Sequence, residues 1–225
     1  MRNGIWKKEV IGVKIEWIGH ACFRMTAESG TTVVTDPYDE SVGIRMMKIP
    51  CDMATVSHEH HDHNNVDMLE GKPIVVRRAH PGQVGGVITQ AIASYHDDRN
   101  GALRGSSIVR VFYIDDLKVV HMGDQGCMPG EAALDMITDA DVMMIPVGGF
   151  YTIDAQGAKN IIDYAHPKCV IPMHYKTAHC TYPIAGVEPF LKRMGEEGLQ
   201  PVGELNVTAG AVPQGVVLMR AKAEY

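Results

Sequence analysis

The chain has 225 residues, 45% apolar and 21% charged, with a net charge of −6; this suits a soluble globular protein with a sizeable core, read as a single domain over 1–225. The acidic balance, without blocks of like charge, disfavours a nucleic-acid binder, and no run approaches the ~18 apolar residues of a membrane-spanning helix. Met1 to Val10 lacks the apolar stretch of a secretory leader, and five scattered cysteines (Cys22, Cys51, Cys127, Cys169, Cys180) without a C-x-x-C pair fit reduced thiols in a cytoplasmic protein.

The first half reads as strands separated by turns. Val13 to Ile18 alternates, Cys22 to Thr26 follows closely, and Thr32 to Thr35 is β-branched and ends at Asp36-Pro37. Met53 to Ser57 is a short apolar run leading into a histidine-rich loop, with a short helix expected at Asn65 to Leu69. Pro73 to Val76, Val87 to Ser94, Ser107 to Tyr113 and Leu117 to His121 are further strands, the last two joined by a turn at Asp115-Asp116. The rhythm then changes. A helix is predicted over Pro129 to Ile137, a strand over Asp141 to Pro146, and a helix from an Asp154 N-cap to Ala165. Its apolar positions Ala155, Ala158, Ile161, Ile162 and Ala165 recur at helical spacing. Cys169 to Met173 is a strand, Ile184 to Met194 a helix, and Leu205 to Val207 and Val216 to Met219 are closing strands. Strands first and then alternating strand and helix point to two sheets face to face with helices outside, a four-layer αββα sandwich.

The loop His58-Glu59-His60-His61-Asp62-His63 carries the chemistry. His58 and His60 alternate, which puts both imidazoles on one side of an extended backbone; Asp62 and His63 follow where the chain turns and face a second point nearby. Imidazole and carboxylate are ligands for first-row ions, and this spacing suits two ions better than one. Three further residues end apolar strand-like runs: His96 after Ala91 to Tyr95, Asp124 after Val119 to Gly123, and His174 after Val170 to Met173. Strand ends are where a rigid sheet fixes a side chain while loops leave access.

These motifs resemble the metallo-β-lactamase fold superfamily. The H-x-H-x-D-H loop is its main signature. Trp17-Ile18-Gly19-His20-Ala21, Thr35-Asp36-Pro37, His121-Met122-Gly123-Asp124, Pro146 to Gly149, Tyr151 to Ala155 and Ile171 to Tyr175 are similar to its compact metal-dependent hydrolases. That branch is related to L-ascorbate-6-phosphate lactonase and, more distantly, to N-acyl-phosphatidylethanolamine phospholipase D. The resemblance implies a dinuclear site at one edge of the sandwich: His58, His60 and His96 on one metal, Asp62, His63 and His174 on the other, and Asp124 bridging. His80 competes with His96 for the third position. His20 either approaches the site or is a hydrogen-bonded structural residue, Asp36 buttresses the histidine loop, and Asp97 is a candidate to orient an imidazole.

The implied activity is hydrolysis of a small ester, lactone or phosphoester by a metal-bridging hydroxide, with Asp62 and Asp124 as the catalytic carboxylates. The cofactors expected are two divalent ions, zinc ahead of manganese, iron or nickel. The competing classes are an iron-dependent sulfur or oxygen redox enzyme of the same fold, a nucleic-acid phosphodiesterase, and a binding protein that retains metals without turnover. Retention of His60, where diiron oxygen reductases carry Glu, favours hydrolysis. The expected partner is a small molecule, with neither membrane nor nucleic acid, and homo-oligomerisation by analogy with small versions of the fold. Tyr38 to Ile49, Arg77 to Gly86 and Tyr175 to Tyr182 are the expected specificity loops, with Tyr151, Tyr175, Lys176, Arg77 and Arg78 as mouth residues.

Overall fold

The strand signals resolve into two large sheets. The computed structural model describes residues 12–224, so the reading of Met1 to Val10 lies outside the described residues. In chain order the strands are β1 (Val13–Gly19), β2 (Cys22–Thr26), β3 (Thr32–Thr35), β4 (Ile49–Pro50), β5 (Met53–Val56), β6 (Leu69–Glu70), β7 (Ile74–Arg77), β8 (Gly82–Val84), β9 (Val87–Tyr95), β10 (Ser106–Ile114), β11 (Leu117–His121), β12 (Val142–Pro146), β13 (Cys169–Met173), β14 (Leu205–Val207) and β15 (Gly215–Val216). The helices are α1 (Glu131–Ile137), α2 (Ala155–Ala165) and α3 (Glu188–Met194). One sheet has the order β14-β1-β2-β3-β5-β7 and the other β15-β13-β12-β11-β10-β9-β8, with β4 and β6 forming a small pair.

Period-two alternation assigns the faces. Ile15, Trp17, Phe23, Met25, Val33 and Met53 point into the main core, which continues through Val109, Val111 and Val119 of the second sheet to Leu134, Ile137, Ala158, Ile161 and Phe190 of the helices. Strands β12 and β13 are buried along their whole length, as parallel strands covered on both faces are. Helices α1 and α2 are the crossovers between the parallel neighbours β11, β12 and β13. On the other face of the first sheet, Ile18, Cys22, Val34 and Ala54 pack in a separate cluster against Tyr38, Val42, Ile44, Met46, Ile49 and Cys51. Here the outer layer is an irregular segment with a 3-10 turn at Glu40–Val42. The sandwich matches the expected architecture, with α-helices on one side and this segment on the other.

Strand polarity puts all the functional loops on one edge. In the first sheet β1 and β3 are both antiparallel to β2, and β5 is parallel to β3. In the second, β9 and β11 are both antiparallel to β10, and β12 and β13 run with β11. The residues just past β1, β3, β5, β9, β11 and β13 thus leave through C-terminal strand ends.

Most element boundaries follow the sequence reading. The Asp154 side chain accepts hydrogen bonds from Gln156 N and Gly157 N, capping α2 as its composition predicts. Asp115 and Asp116 both have positive φ, the requirement of a tight two-residue hairpin turn. Three expectations are corrected. Helix α3 starts at Glu188 and not at Ile184, because the Ala185 amide donates to Gly148 O and its carbonyl accepts from Lys176 N, so both groups are engaged before a helix can use them. Asn65 to Leu69 yields only a 3-10 turn, Val66–Met68. Within Arg77 to Gly86, expected as a specificity loop, Gly82–Val84 is edge strand β8 paired with β9. The segment ahead of it is pinned by the buried Arg110 guanidinium, which donates to Arg78 O and His80 O.

Candidate metal centre

The loop after β5 is held from beneath by Asp36, the first residue past β3. Its Oδ1 accepts from Ser57 N at 2.7 Å, and its Oδ2 accepts from Ser57 Oγ at 2.6 Å and from His63 Nδ1 at 2.9 Å. Since the Ser57 hydroxyl donates to Asp36, its oxygen is left to accept from His58 Nδ1, 2.9 Å away. One buried carboxylate thereby fixes a proton on Nδ1 of His63 directly and of His58 through Ser57, and turns their Nε2 atoms toward the site. Burial raises the Asp36 pKa, but the hydrogen bond and charge of His63, with His121 and Ser57, outweigh it and keep the carboxyl below its ordinary value.

Four imidazoles converge on one oxygen. Asp124 Oδ2 is 3.2 Å from His63 Nε2, 3.2 Å from His96 Nε2, 3.3 Å from His174 Nε2 and 4.0 Å from His58 Nε2. A carboxylate oxygen has two lone pairs and cannot accept from four N–H groups, so hydrogen bonding does not account for this geometry. It matches a set of donors directed at cations. His58 Nε2 also lies 2.9 Å from His60 Nδ1. The donor atoms fall into three overlapping groups, each within 4.8 Å: His58, His60 and His96; His58, His63 and Asp124; and His20, Asp62, His63 and His174. The residues therefore fit metal. Burial, reinforced by the neighbouring His63, pushes His58 down to about 3, so its ring is neutral and carries a lone pair. Burial raises the Asp124 pKa, but the charges of His174 and His63 outweigh it and hold the carboxyl well below the carboxylate range.

His20 belongs to this cluster. It sits just past β1 in the left-handed region, φ 53°, as His174 does past β13, φ 52°. Such a conformation costs on the order of 1 kcal/mol outside glycine. Here it is fixed by bonds from His174 N and Trp17 Nε1 to His20 O. The two rings lie 4.0 Å apart, and His20 Nε2 is 3.3 Å from Asp62 Oδ2. Burial, with His174 close by, lowers His20 to about 4.

Close backbone approach completes the second half. A Cβ on Gly126 would lie 2.2 Å from His96 C and from Asp97 N, so only glycine lets the segment after Asp124 run against His96. The structure thus gathers all seven predicted ligands, His58, His60, Asp62, His63, His96, Asp124 and His174. His80 is exposed and belongs to no donor group among the described residues. Asp97 is not an imidazole partner: its two oxygens accept from the amides of Arg99, Gly101, Leu103 and Arg104, which lowers it to about 2 against the effect of burial. His121 bonds Ala21 O and Gly123 N beneath the site.

A cavity of about 430 Å³ opens over the cluster, lined by His60, Asp62, His96 and Asp124 at its floor and by Ser41, His61, Arg104, Tyr151 and Tyr182. Of the expected mouth residues, Tyr151 lines it. Tyr175 is buried against Trp17, Lys176 bonds Tyr182 O, Arg77 pairs with Glu59, and Arg78 lines a neighbouring cavity. Ser41 and Tyr182 lie in loops flagged for specificity; Arg104 carries no motif, and only the Gly101–Gly105 turn before β10 hinted at its placement.

Residues 14–174 match the family pattern of the beta-lactamase superfamily domain. A Thermotoga maritima protein, whose crystal structure is described as a candidate Zn-dependent hydrolase of the metallo-beta-lactamase superfamily, shares 34% identity and a TM-score of 0.76, over 92% of this chain and 98% of that one. A UPF0173 metal-dependent hydrolase of Thermoplasma acidophilum is 29% identical over 192 residues, 73% of this chain and 84% of its own. Another, from Archaeoglobus fulgidus, is 24% identical over 220 residues, 83% and 93% of the respective chains. With the fold, the H-x-H-x-D-H loop and these relatives in agreement, the chain belongs to the metallo-β-lactamase superfamily.

Proposed function

We propose that this protein, a metal-dependent hydrolase of its superfamily, cleaves a small ester, lactone or phosphoester at a dinuclear centre. The lactone option comes from the resemblance to L-ascorbate-6-phosphate lactonase. His58, His60 and His96 would hold one ion, Asp62, His63 and His174 the other, and Asp124 would lie between both. The observation that carries this reading is the convergence of four imidazole nitrogens on Asp124 Oδ2. Six imidazole and carboxylate donors around a shared carboxylate favour zinc, with manganese, iron and nickel as alternatives.

When bound, two divalent ions supply a water ionised near neutral pH and a Lewis acid for the substrate oxygen. The protein supplies position. Asp36 and Ser57 hold Nδ1 of His63 and His58, so that their Nε2 atoms face the site, where a bound ion would take the place of the Nε2 proton that His63 otherwise carries. His20 holds Asp62 Oδ2 and so fixes the orientation of a carboxylate that would serve the second ion. Burial of His63, His96, Asp124 and His174 keeps bulk water out from behind the centre, while His60 and Asp62 border the open cavity.

The test is a hydrolase screen with lactone, phosphodiester and thioester panels at controlled zinc, manganese and iron content. Turnover of a small ester or lactone that rises with metal content and is lost in Asp62→Ala supports the proposal. Turnover confined to oligonucleotides, or full activity in Asp62→Ala, overturns it.

A further inference from the structure

The cavity above the cluster has an unneutralised cation on its wall. Arg104 donates from Nη2 to Phe150 O at 3.2 Å, and its guanidinium lies 5.6 Å from the centre of the Tyr151 ring. Among the described residues no carboxylate stands within ion-pairing distance of it, and unlike the other arginines without an ion pair it lines the cavity over the metal-binding cluster. Its placement is built. Asp97 takes four backbone amides of the Arg99 to Arg104 turn, the last of them Arg104 N at 2.8 Å, and the turn is closed by His96 N on Gly105 O. The turn that carries Arg104 therefore starts at His96, one of the floor residues. Tyr151 and Tyr182, with ring centres 5.6 Å apart, flank the same cavity.

We infer that Arg104, supported by Tyr151 and Tyr182, forms a subsite for an anionic oxygen group on the substrate, a carboxylate or phosphate at the end away from the scissile bond. The inference rests on the proposed metal occupancy of the floor. Two divalent ions among ligands that include two carboxylates leave the floor net positive, and Arg104 extends that field up the wall. A guanidinium with free N–H groups presents a planar fork that fits an oxyanion in two-point fashion. A neutral ester in the cavity would leave this cation without a partner on the substrate; an anionic one satisfies both ends.

The probes are α,ω-dicarboxylates from succinate to adipate, 3-phosphonopropionate, and monocarboxylates of matching length, titrated calorimetrically into the zinc-loaded full chain. At least one two-headed anion should bind about tenfold more tightly than its one-headed counterpart, the scale of one added charge-assisted contact. Arg104→Gln should lose that gain and Arg104→Lys should keep part of it, while both bind the monocarboxylate like the parent. A phosphonate gain above the dicarboxylate gain assigns phosphate; the reverse assigns carboxylate. Absence of any gain in the parent, or its survival in Arg104→Gln, overturns the subsite. Metal content and turnover are read on the same samples: a failed subsite with intact metal-dependent hydrolysis leaves the proposed function standing, and an intact anion gain without hydrolysis removes the function alone.

Discussion

His20 Nε2 lies 3.3 Å from Asp62 Oδ2, and both side chains are buried at the meeting of two loops 42 residues apart in sequence. The same imidazole packs at 4.0 Å on His174. His20 thus touches two of the three residues proposed for the second ion. Its replacement by Ala should lower metal content after dialysis from about two ions per chain toward one, with the His58, His60 and His96 half still loaded. Elemental analysis checks this; full retention would leave His20 a packing residue only.

Asp36 unites the loop through three hydrogen bonds. Asp36→Asn keeps the shape but presents an amide where acceptors are needed, so the Ser57 and His63 donors lose a partner. Metal affinity should fall about 10–100-fold, as for other residues that orient a ligand. Competition with a chromophoric chelator measures it, and an unchanged affinity would contradict the tautomer relay.

Glu16 offers a test remote from the site. Burial raises its pKa, but Arg24, through Nε at 2.8 Å and Nη2 at 2.5 Å, with Lys222 and Lys14, brings the net value below 4.5. A lowered folded-state pKa gives stability that is fully present above the unfolded value and is lost as pH falls through the folded one. Glu16→Gln should therefore destabilise the protein by about 1 kcal/mol at pH 7, discounted for the partly exposed Arg24. The difference from the parent should shrink below pH 4.5. Urea unfolding at both pH values reads the gap; a constant gap would contradict the ion pair.

Thiol chemistry tests the core. Cys22, Cys51, Cys169 and Cys180 are buried and Cys127 is half-buried. Burial pushes Cys51 to about 11 and Cys169 to about 12, which leaves almost no thiolate at neutral pH. Iodoacetamide should modify Cys127 first in the native protein, the others only on unfolding, as peptide mass spectrometry would record.

The sandwich and the histidine loop were legible because each has a local signature: β-branched alternation for the strands, and ligand spacing within six residues for the loop. His96 was harder to distinguish from His80, since both precede glycine-containing turns. The fold decides between them: β9 runs the same way as β11 and delivers His96, the residue just past its end, to Asp124, whereas His80 precedes edge strand β8, is exposed, and has its carbonyl held by Arg110. His20, Arg104 and Tyr182 were not readable as a group. Their proximity arises from packing between two sheets, through a left-handed bend at His20 and an Asp97-centred turn at Arg104, and no local pattern encodes a contact of that range.

The most direct measurement is anomalous diffraction at the zinc edge from crystals of the zinc-loaded chain. Two peaks about 3.5–4 Å apart, one toward His58, His60 and His96, the other toward Asp62, His63 and His174, with Asp124 between them, is the expected result. A single peak, or peaks away from these side chains, would contradict the dinuclear centre.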